Sequence, residues 1–315
     1  MAKGKVKTIR KEVPTDWKDA LQGFLFWKQA QGLAERTLTD YRKHVSQLFN
    51  RFPKAFDAKK LKPAVLEYMA QPVKPVTFNL RFIYLRAFFD WCIQEGIFAE
   101  NPLKGFKRRK AEGRVVNLDE DILTNLLSLP KRETFAGLRD HALLLLTLDS
   151  GIRPKEALSL KVDDINLRSL EVYIRSEVAK TRTSRTLPIS PITANTIREL
   201  IQARHPAWKS STPVFCSSEG TTFTAIKWGD RLEMYCKTLG VHIHPYDLRH
   251  AFALQFLRNG GQAFALQRTL GHTDLTMTKR YVALTQHDLR EQHTAASPLN
   301  TLVPQRQRVR NVKKG

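Results

Sequence analysis

No apolar run in this 315-residue chain can cross a membrane as a helix. The longest, Ala142 to Leu146, has the length of a core-helix segment, against roughly 18 residues for a span. Cysteine is scarce. Cys92, Cys216 and Cys236 lie far apart with no C-x-x-C pair, which argues against a zinc knuckle or a disulfide framework and fits a reducing cytoplasm. Each reads as a small core residue. Glycine and proline, at 15 apiece, are too few for a low-complexity chain, and no internal repeat is present. The basic start Met1-Ala-Lys-Gly-Lys-Val-Lys has no apolar segment behind it, so export is not expected. No acidic metal cluster stands out, which is consistent with chemistry that uses neither a metal nor a cofactor.

The largest shortage is of acid. Aspartate and glutamate number 30 against 52 lysines and arginines, a formal charge of +22 and a pI near 10.1. Such a charge repels itself unless a polyanion neutralises it, which makes nucleic acid the leading partner class and a membrane surface the weaker one.

The length suits two domains. Residues 16 to 100 read as four helices. Trp17, Leu21 and Phe24 share one face, and Leu38, Tyr41, Val45 and Leu48 repeat the pattern after Thr37, a candidate cap. Phe78, Phe82, Leu85, Phe89 and Cys92 form a third stripe that Gly96 is placed to stop. Ala64 to Met69 is a shorter candidate, bracketed by Pro63 and Pro72. These stripes are expected to form a shared core. From Asn101 to Val116 the periodicity fades while Lys104, Lys107, Arg108, Arg109, Lys110 and Arg114 accumulate around Gly105 and Gly113. This run either is solvated or follows a phosphate backbone. The expected domains are therefore 1–103, a basic linker 104–116, and 117–315.

In the second unit, Asn117-Leu-Asp-Glu reads as a helix start and Asp140 to Asp149 as a buried helix. Leu170 to Ile174 and Arg185 to Ile189 alternate as strands around the polar turn Lys180-Thr-Arg-Thr-Ser. Helical patterns follow at Ile192–Arg204, Ala225–Leu239, Tyr246–Asn259 and Gln262–Leu270, with Gly260-Gly261 breaking the last two. The fold class is thus mainly α, with an all-helical N-terminal domain and a helical second domain carrying a small antiparallel sheet. The tail from Val303 is basic (Arg306, Arg308, Arg310, Lys313, Lys314).

Phosphoryl transfer needs a nucleophile, cations for the charged oxygens and an acid for the leaving group. Arg153 follows a glycine at the mouth of a helix, where its planar fork can face a phosphate, with Pro154 in the first turn and Glu156 placed to brace the guanidinium. Lys180 sits in the strand turn. Tyr246, Arg249 and His250, at i, i+3 and i+4, share a helix face. His272 follows a glycine turn, and Tyr281 comes nine residues later, after a short helix. Each alone has an ordinary structural explanation.

Together, Ser-Gly-Ile-Arg-Pro-Lys-Glu around Arg153, the Lys-x-x-x-x-Arg-x-x-Pro strand turn from Lys180, Asp-Leu-Arg-His ending at His250, and Leu-Gly-His followed by Tyr281 resemble the catalytic domain of the tyrosine recombinase (phage integrase) family. The resemblance covers Leu148 to Tyr281, and residues 16 to 100 more loosely resemble the family's core-binding domain, a clamp on DNA. It implies that Arg153 and Arg249 clamp the scissile phosphate and Lys180 protonates the departing 5′ oxygen. It further implies that His272 bonds the phosphate and Tyr281 forms a 3′-phosphotyrosine, without metal or ATP. Lys107, Arg108, Arg109, Lys110, Arg182 and Arg185 are the expected DNA contacts.

The family usually has histidine where this chain has Tyr246, and a phenol near pKa ~10 is a poorer base than an imidazole near ~6.5. Tyr246 can still donate a hydrogen bond, and His244 or His250 is a candidate to take the proton. The resemblance implies a specific duplex site, a tetramer on paired sites with the segment Leu284 to Leu302 docking in trans, and a cytoplasmic, nucleoid-associated enzyme. The stretch ahead of residue 16 is short for an arm-binding domain, which favours a simple element integrase, a resolvase or a Xer-like recombinase. The alternatives are a DNA-binding regulator with impaired catalysis and a type IB topoisomerase.

Overall fold

The computed structural model describes residues 14–111, 118–179, 181–284, 293–294 and 296–303. Lys180, Arg114, Asn117, the basic N-terminal start and the tail arginines and lysines lie outside these residues, as do residues 285–292 and 295 of the segment expected to dock in trans. The chain forms two compact units, Met1–Gly113 and Arg114–Gly315.

The first unit is built from α1 (Trp17–Ala30), α2 (Glu35–Arg51), α3 (Leu61–Ala70) and α4 (Pro75–Gln94). The periodic stripes become its core: Leu38, Tyr41, Val45 and Leu48 of α2 and Phe78, Phe82, Leu85, Phe89 and Cys92 of α4 are all buried. Phe24 sits at the centre, edge-on to Tyr41 and Phe88 at 5.0 and 5.5 Å, a geometry that aligns ring edges with ring faces. Pro75 opens α4 at the position where a missing N–H costs nothing.

Two boundaries differ from expectation. The turn after α1 leaves Ala34 as the last extended residue, so Thr37 falls inside the first turn of α2 and caps nothing. α3 begins at Leu61 and contains Pro63, which is tolerated because first-turn N–H groups have no intrahelical acceptor.

The basic run after α4 is fastened rather than loose. The Asn79 side chain donates to the Arg109 carbonyl and accepts from its N–H, both at 2.8 Å. The Arg109 guanidinium lies over the Phe78 ring, 3.8 Å from its centroid. Lys107, Arg108, Arg109 and Lys110 remain exposed.

The second unit contains α5 (Glu120–Ser128), α6 (Phe135–Ser150), the short α7 (Pro154–Ala157), α8 (Pro191–Gln202), α9 (Ala225–Thr238), α10 (Pro245–Arg258), α11 (Ala263–Leu270) and α12 (Thr276–Leu284). Three short strands, β1 (Ile165–Asn166), β2 (Glu171–Ile174) and β3 (Arg185–Pro188), form an antiparallel sheet in the order β1-β2-β3. The register pairs Val172 with Leu187 and Ile174 with Arg185. β1 has no alternating signature because it is only two residues long.

Helix α6 is the axis of the second core, packed against α8 and α10 and buried on nearly every side. The Thr134 hydroxyl caps its start by accepting from Gly137 N–H at 3.0 Å, worth about 1 kcal/mol. Its apolar run is interrupted by Asp140, which is fully buried and fully used. Asp140 accepts from Arg139 at 2.9 and 2.7 Å, from Arg231 at 2.7 Å and from the Tyr235 hydroxyl at 2.9 Å, tying α6 to α9.

Candidate active site

The site is assembled where α6 ends. Gly151 terminates that helix in the left-handed region, at φ 60°, and a Cβ there would lie 2.3 Å from the Phe252 ring. Only glycine fits both conditions. The turn buries Ile152 completely and delivers Arg153 to the N-cap of α7, with Pro154 behind it.

Arg153 is held from two sides. One guanidinium nitrogen donates to Glu156 Oε1 at 3.0 Å and the other to the Gly271 carbonyl at 3.1 Å. Glu156 is itself 1% exposed and receives a second arginine, Arg185 from β3, at 3.2 and 2.6 Å. Burial pushes its carboxyl upward, but the hydrogen bonds and charges of Arg185 and Arg153 outweigh this and hold it below the ordinary range. Arg185, expected on the DNA, thus points into the site, and its Nε also donates to the Thr269 carbonyl at 3.3 Å. The signal was available. In an alternating strand Arg185 shares the face of Leu187, which is fully buried.

Arg249 comes from the second turn of α10 and is 5% exposed. It donates through a short hydrogen bond to the Gly151 carbonyl and at 2.6 Å to the Leu270 carbonyl. These acceptors lie at the C-terminal ends of α6 and α11, whose last carbonyls lack intrahelical donors. Burial, and then the charge of Arg153, lowers the Arg249 pKa to about 9, still cationic at neutral pH.

His272 follows Gly271, the left-handed cap of α11. Its Nε2 lies 3.5 Å from an Arg249 nitrogen and its Nδ1 lies 3.0 Å from Thr278 Oγ1. A guanidinium can only donate, so Nε2 carries the lone pair and Nδ1–H donates to the fully buried Thr278. Burial, then Arg249 and Arg153, lowers the His272 pKa to about 4, so the ring is neutral.

Tyr281 lies on α12 itself, not beyond a helix, and is 4% exposed among Phe252, Leu254, Leu266 and Leu270. His250 reaches its hydroxyl: Nδ1 is 2.5 Å from Tyr281 Oη.

The other expected residues stand apart. Tyr246, the second residue of α10, is 50% exposed, and among the described residues its hydroxyl has no hydrogen-bond partner. His244 is the N-cap of α10. Its N–H donates to Asp247 Oδ2 at 2.8 Å, its Nδ1 lies 3.3 Å from the same oxygen, and its ring stacks edge-on against His242. Arg182 is exposed in the strand connection at φ 55°. Lys180 is outside the described residues.

Two guanidiniums therefore share one carboxylate while a third, Arg249, is held on backbone carbonyls within reach of its charge, leaving a buried excess of positive charge that favours a bound anion. Arginines held on backbone carbonyls need no reorganisation when that anion arrives.

Residues 117–288 match the phage integrase family, which spans more than half of the chain. The chain belongs to the phage integrase family. Among curated members it is 29% identical to the tyrosine recombinase XerC of Proteus mirabilis over 231 residues, 72% of this chain and 74% of that protein. The fold is that of solved integrases. The Tn1549 transposon integrase in complex with transposon right end DNA aligns with a TM-score of 0.70 at 18% identity, covering 88% of this chain and 98% of that one. A lambda integrase tetramer bound to a Holliday junction aligns at 0.66 and 17% identity, covering 87% and 84%. As a phage integrase family member and tyrosine recombinase, this chain is a DNA breaking and rejoining enzyme. No helix among its described residues is long and apolar enough to cross a membrane.

Proposed function

We propose that this integrase-family chain is a site-specific recombinase that cuts duplex DNA through a covalent 3′-phosphotyrosine on Tyr281 and then rejoins it. The observation that carries the reading is the convergence of Tyr281, His272 and two carbonyl-anchored arginines around the ends of α6 and α11. Arg153 and Arg249 bind the non-bridging oxygens of the scissile phosphate with their remaining N–H groups. His272 supplies a further hydrogen bond once Arg249 turns its N–H groups to the phosphate and the imidazole proton moves to Nε2, and Lys180 protonates the departing 5′ oxygen. The covalent bond stores the phosphodiester energy, so rejoining requires no nucleotide.

The first unit acts as a core-binding domain, with its exposed cations on phosphates, and the active assembly is a tetramer on paired specific sites. The lambda integrase tetramer on a Holliday junction supports that assembly by likeness of fold. The setting is the cytoplasm, on a mobile element or a replicon.

Covalent capture tests the reading. The protein is incubated with a pool of randomised duplexes, each nicked to trap the product, in EDTA, and resolved on a denaturing gel. The reading predicts an adduct that Tyr281→Phe abolishes. Tight binding with no adduct from the whole pool would contradict it.

A further inference from the structure

The nucleophile's proton must go somewhere, and the position where the family usually has histidine is occupied here by a half-exposed phenol, Tyr246. One turn further along α10, His250 faces Tyr281, with Nδ1 2.5 Å from the hydroxyl and ring centroids 5.6 Å apart. We propose that His250 accepts the Tyr281 proton during strand cleavage and returns it during rejoining. This rests on Tyr281 being the nucleophile, as argued above.

The proposal requires one direction for this hydrogen bond: the Tyr281 O–H donates and Nδ1 accepts, with the ring proton on Nε2. This is the protonation state a general base requires, already at hydrogen-bond distance. The other histidines nearby are committed: His272 faces Arg249 and Thr278 with its two nitrogens, and His244 is built into the cap of α10 with Asp247.

The step balances. A lone pair of Tyr281 Oη forms the bond to phosphorus while its proton passes to His250 Nδ1. The P–O5′ bond breaks, and its electron pair leaves with the 5′ oxygen, which takes a proton from the general acid. Rejoining reverses each transfer, with the imidazolium reprotonating the departing tyrosine. Arg249, next to His250 in sequence, opposes an imidazolium, and a bound phosphate offsets that charge. The base therefore becomes effective when DNA occupies the site. One helix sets both functions, since α10 aims Arg249 at the ends of α6 and α11 and His250 at α12.

The test uses single-turnover cleavage of nicked duplexes recovered from the covalent-capture pool. His250→Asn keeps an amide near the Nδ1 position but cannot accept a proton. It is expected to cleave on the order of 10² to 10⁴ times more slowly at unchanged duplex affinity. His250→Ala is expected to recover rate when free imidazole is added. An Asn variant within about threefold of wild type overturns the proposal, while an adduct that still maps to Tyr281 leaves the recombinase reading standing. Absence of any wild-type adduct overturns the reading itself. Should both variants misfold, imidazole ¹⁵N shifts of the wild-type protein decide, with the His250 signal identified by its response to Tyr281→Phe. A bare Nδ1 supports the proposal, and a protonated Nδ1 overturns it.

Discussion

Glu156 receives Arg185 on both carboxylate oxygens, at 3.2 and 2.6 Å, across 29 residues of sequence. The same carboxylate braces Arg153, so one buried acid positions two cations of the site. Removing it leaves two largely buried guanidiniums without a counter-charge. Glu156→Ala is expected to cost about 3 to 5 kcal/mol of stability, read from urea unfolding. A cost below about 1 kcal/mol would show that the charges are satisfied elsewhere.

Gly151 carries a second constraint. Alanine there must adopt the left-handed region and displace Phe252 and Leu270, whose atoms would lie 2.3 and 2.9 Å from the new Cβ. The expected loss is about 2 to 4 kcal/mol, together with a displaced Arg249, since the Gly151 carbonyl is one of its anchors. Thermal unfolding of Gly151→Ala measures the first effect. A melting temperature equal to wild type would contradict the packing argument.

Much of this was legible in the sequence, and the reason is local. The α4 stripe from Phe78 to Cys92 follows the helical period because one face meets a single core. Gly151 and Gly271 announce helix ends by the backbone conformation they permit. What could not be read joins distant segments. Asp140 looks like a misplaced charge in an apolar helix until Arg231 and Tyr235 arrive from α9. The pairing of His250 with Tyr281 depends on how α10 and α12 cross, which no spacing encodes. The strand period turns Arg185 inward with Leu187, but its pairing with Glu156 joins segments 29 residues apart.

His272 gives a pH signature. Its folded pKa near 4 lies below the ordinary 6.5, so between those values the unfolded chain binds a proton that the folded chain does not. Stability therefore rises with pH across this window and is lost as pH falls from 6.5 to 4. Replacing His272 with Asn should flatten the pH dependence of unfolding by close to one proton there. Parallel curves for the two proteins would refute the depressed pKa.

Arg249→Lys preserves charge and discards the fork that meets the Gly151 and Leu270 carbonyls together. Cleavage is expected to slow on the order of 10² to 10³-fold, the scale of one lost transition-state donor. Single-turnover rates on a nicked duplex report it. A lysine enzyme as fast as wild type would mean that charge alone suffices.

The basic run after α4 predicts a salt effect. Lys107, Arg108 and Lys110 are exposed, whereas Arg109 is spent partly on Phe78. If the three lie on phosphates, alanine at each lowers the slope of log affinity against log salt by about 1. Titrations at several salt concentrations would expose a merely solvated run through an unchanged slope.

The central claim is that Tyr281 becomes covalently joined to DNA, and peptide mapping of the trapped adduct tests it most directly. Trypsin cuts after Arg280 and Arg290, so Tyr281 leads its own short peptide, Tyr281 to Arg290. After nuclease and trypsin digestion, the account predicts a residual 3′-nucleotide mass on that peptide, fragmenting to Tyr281. Nucleotide on any other residue, or an unmodified Tyr281 peptide recovered in full from the adduct, would contradict it.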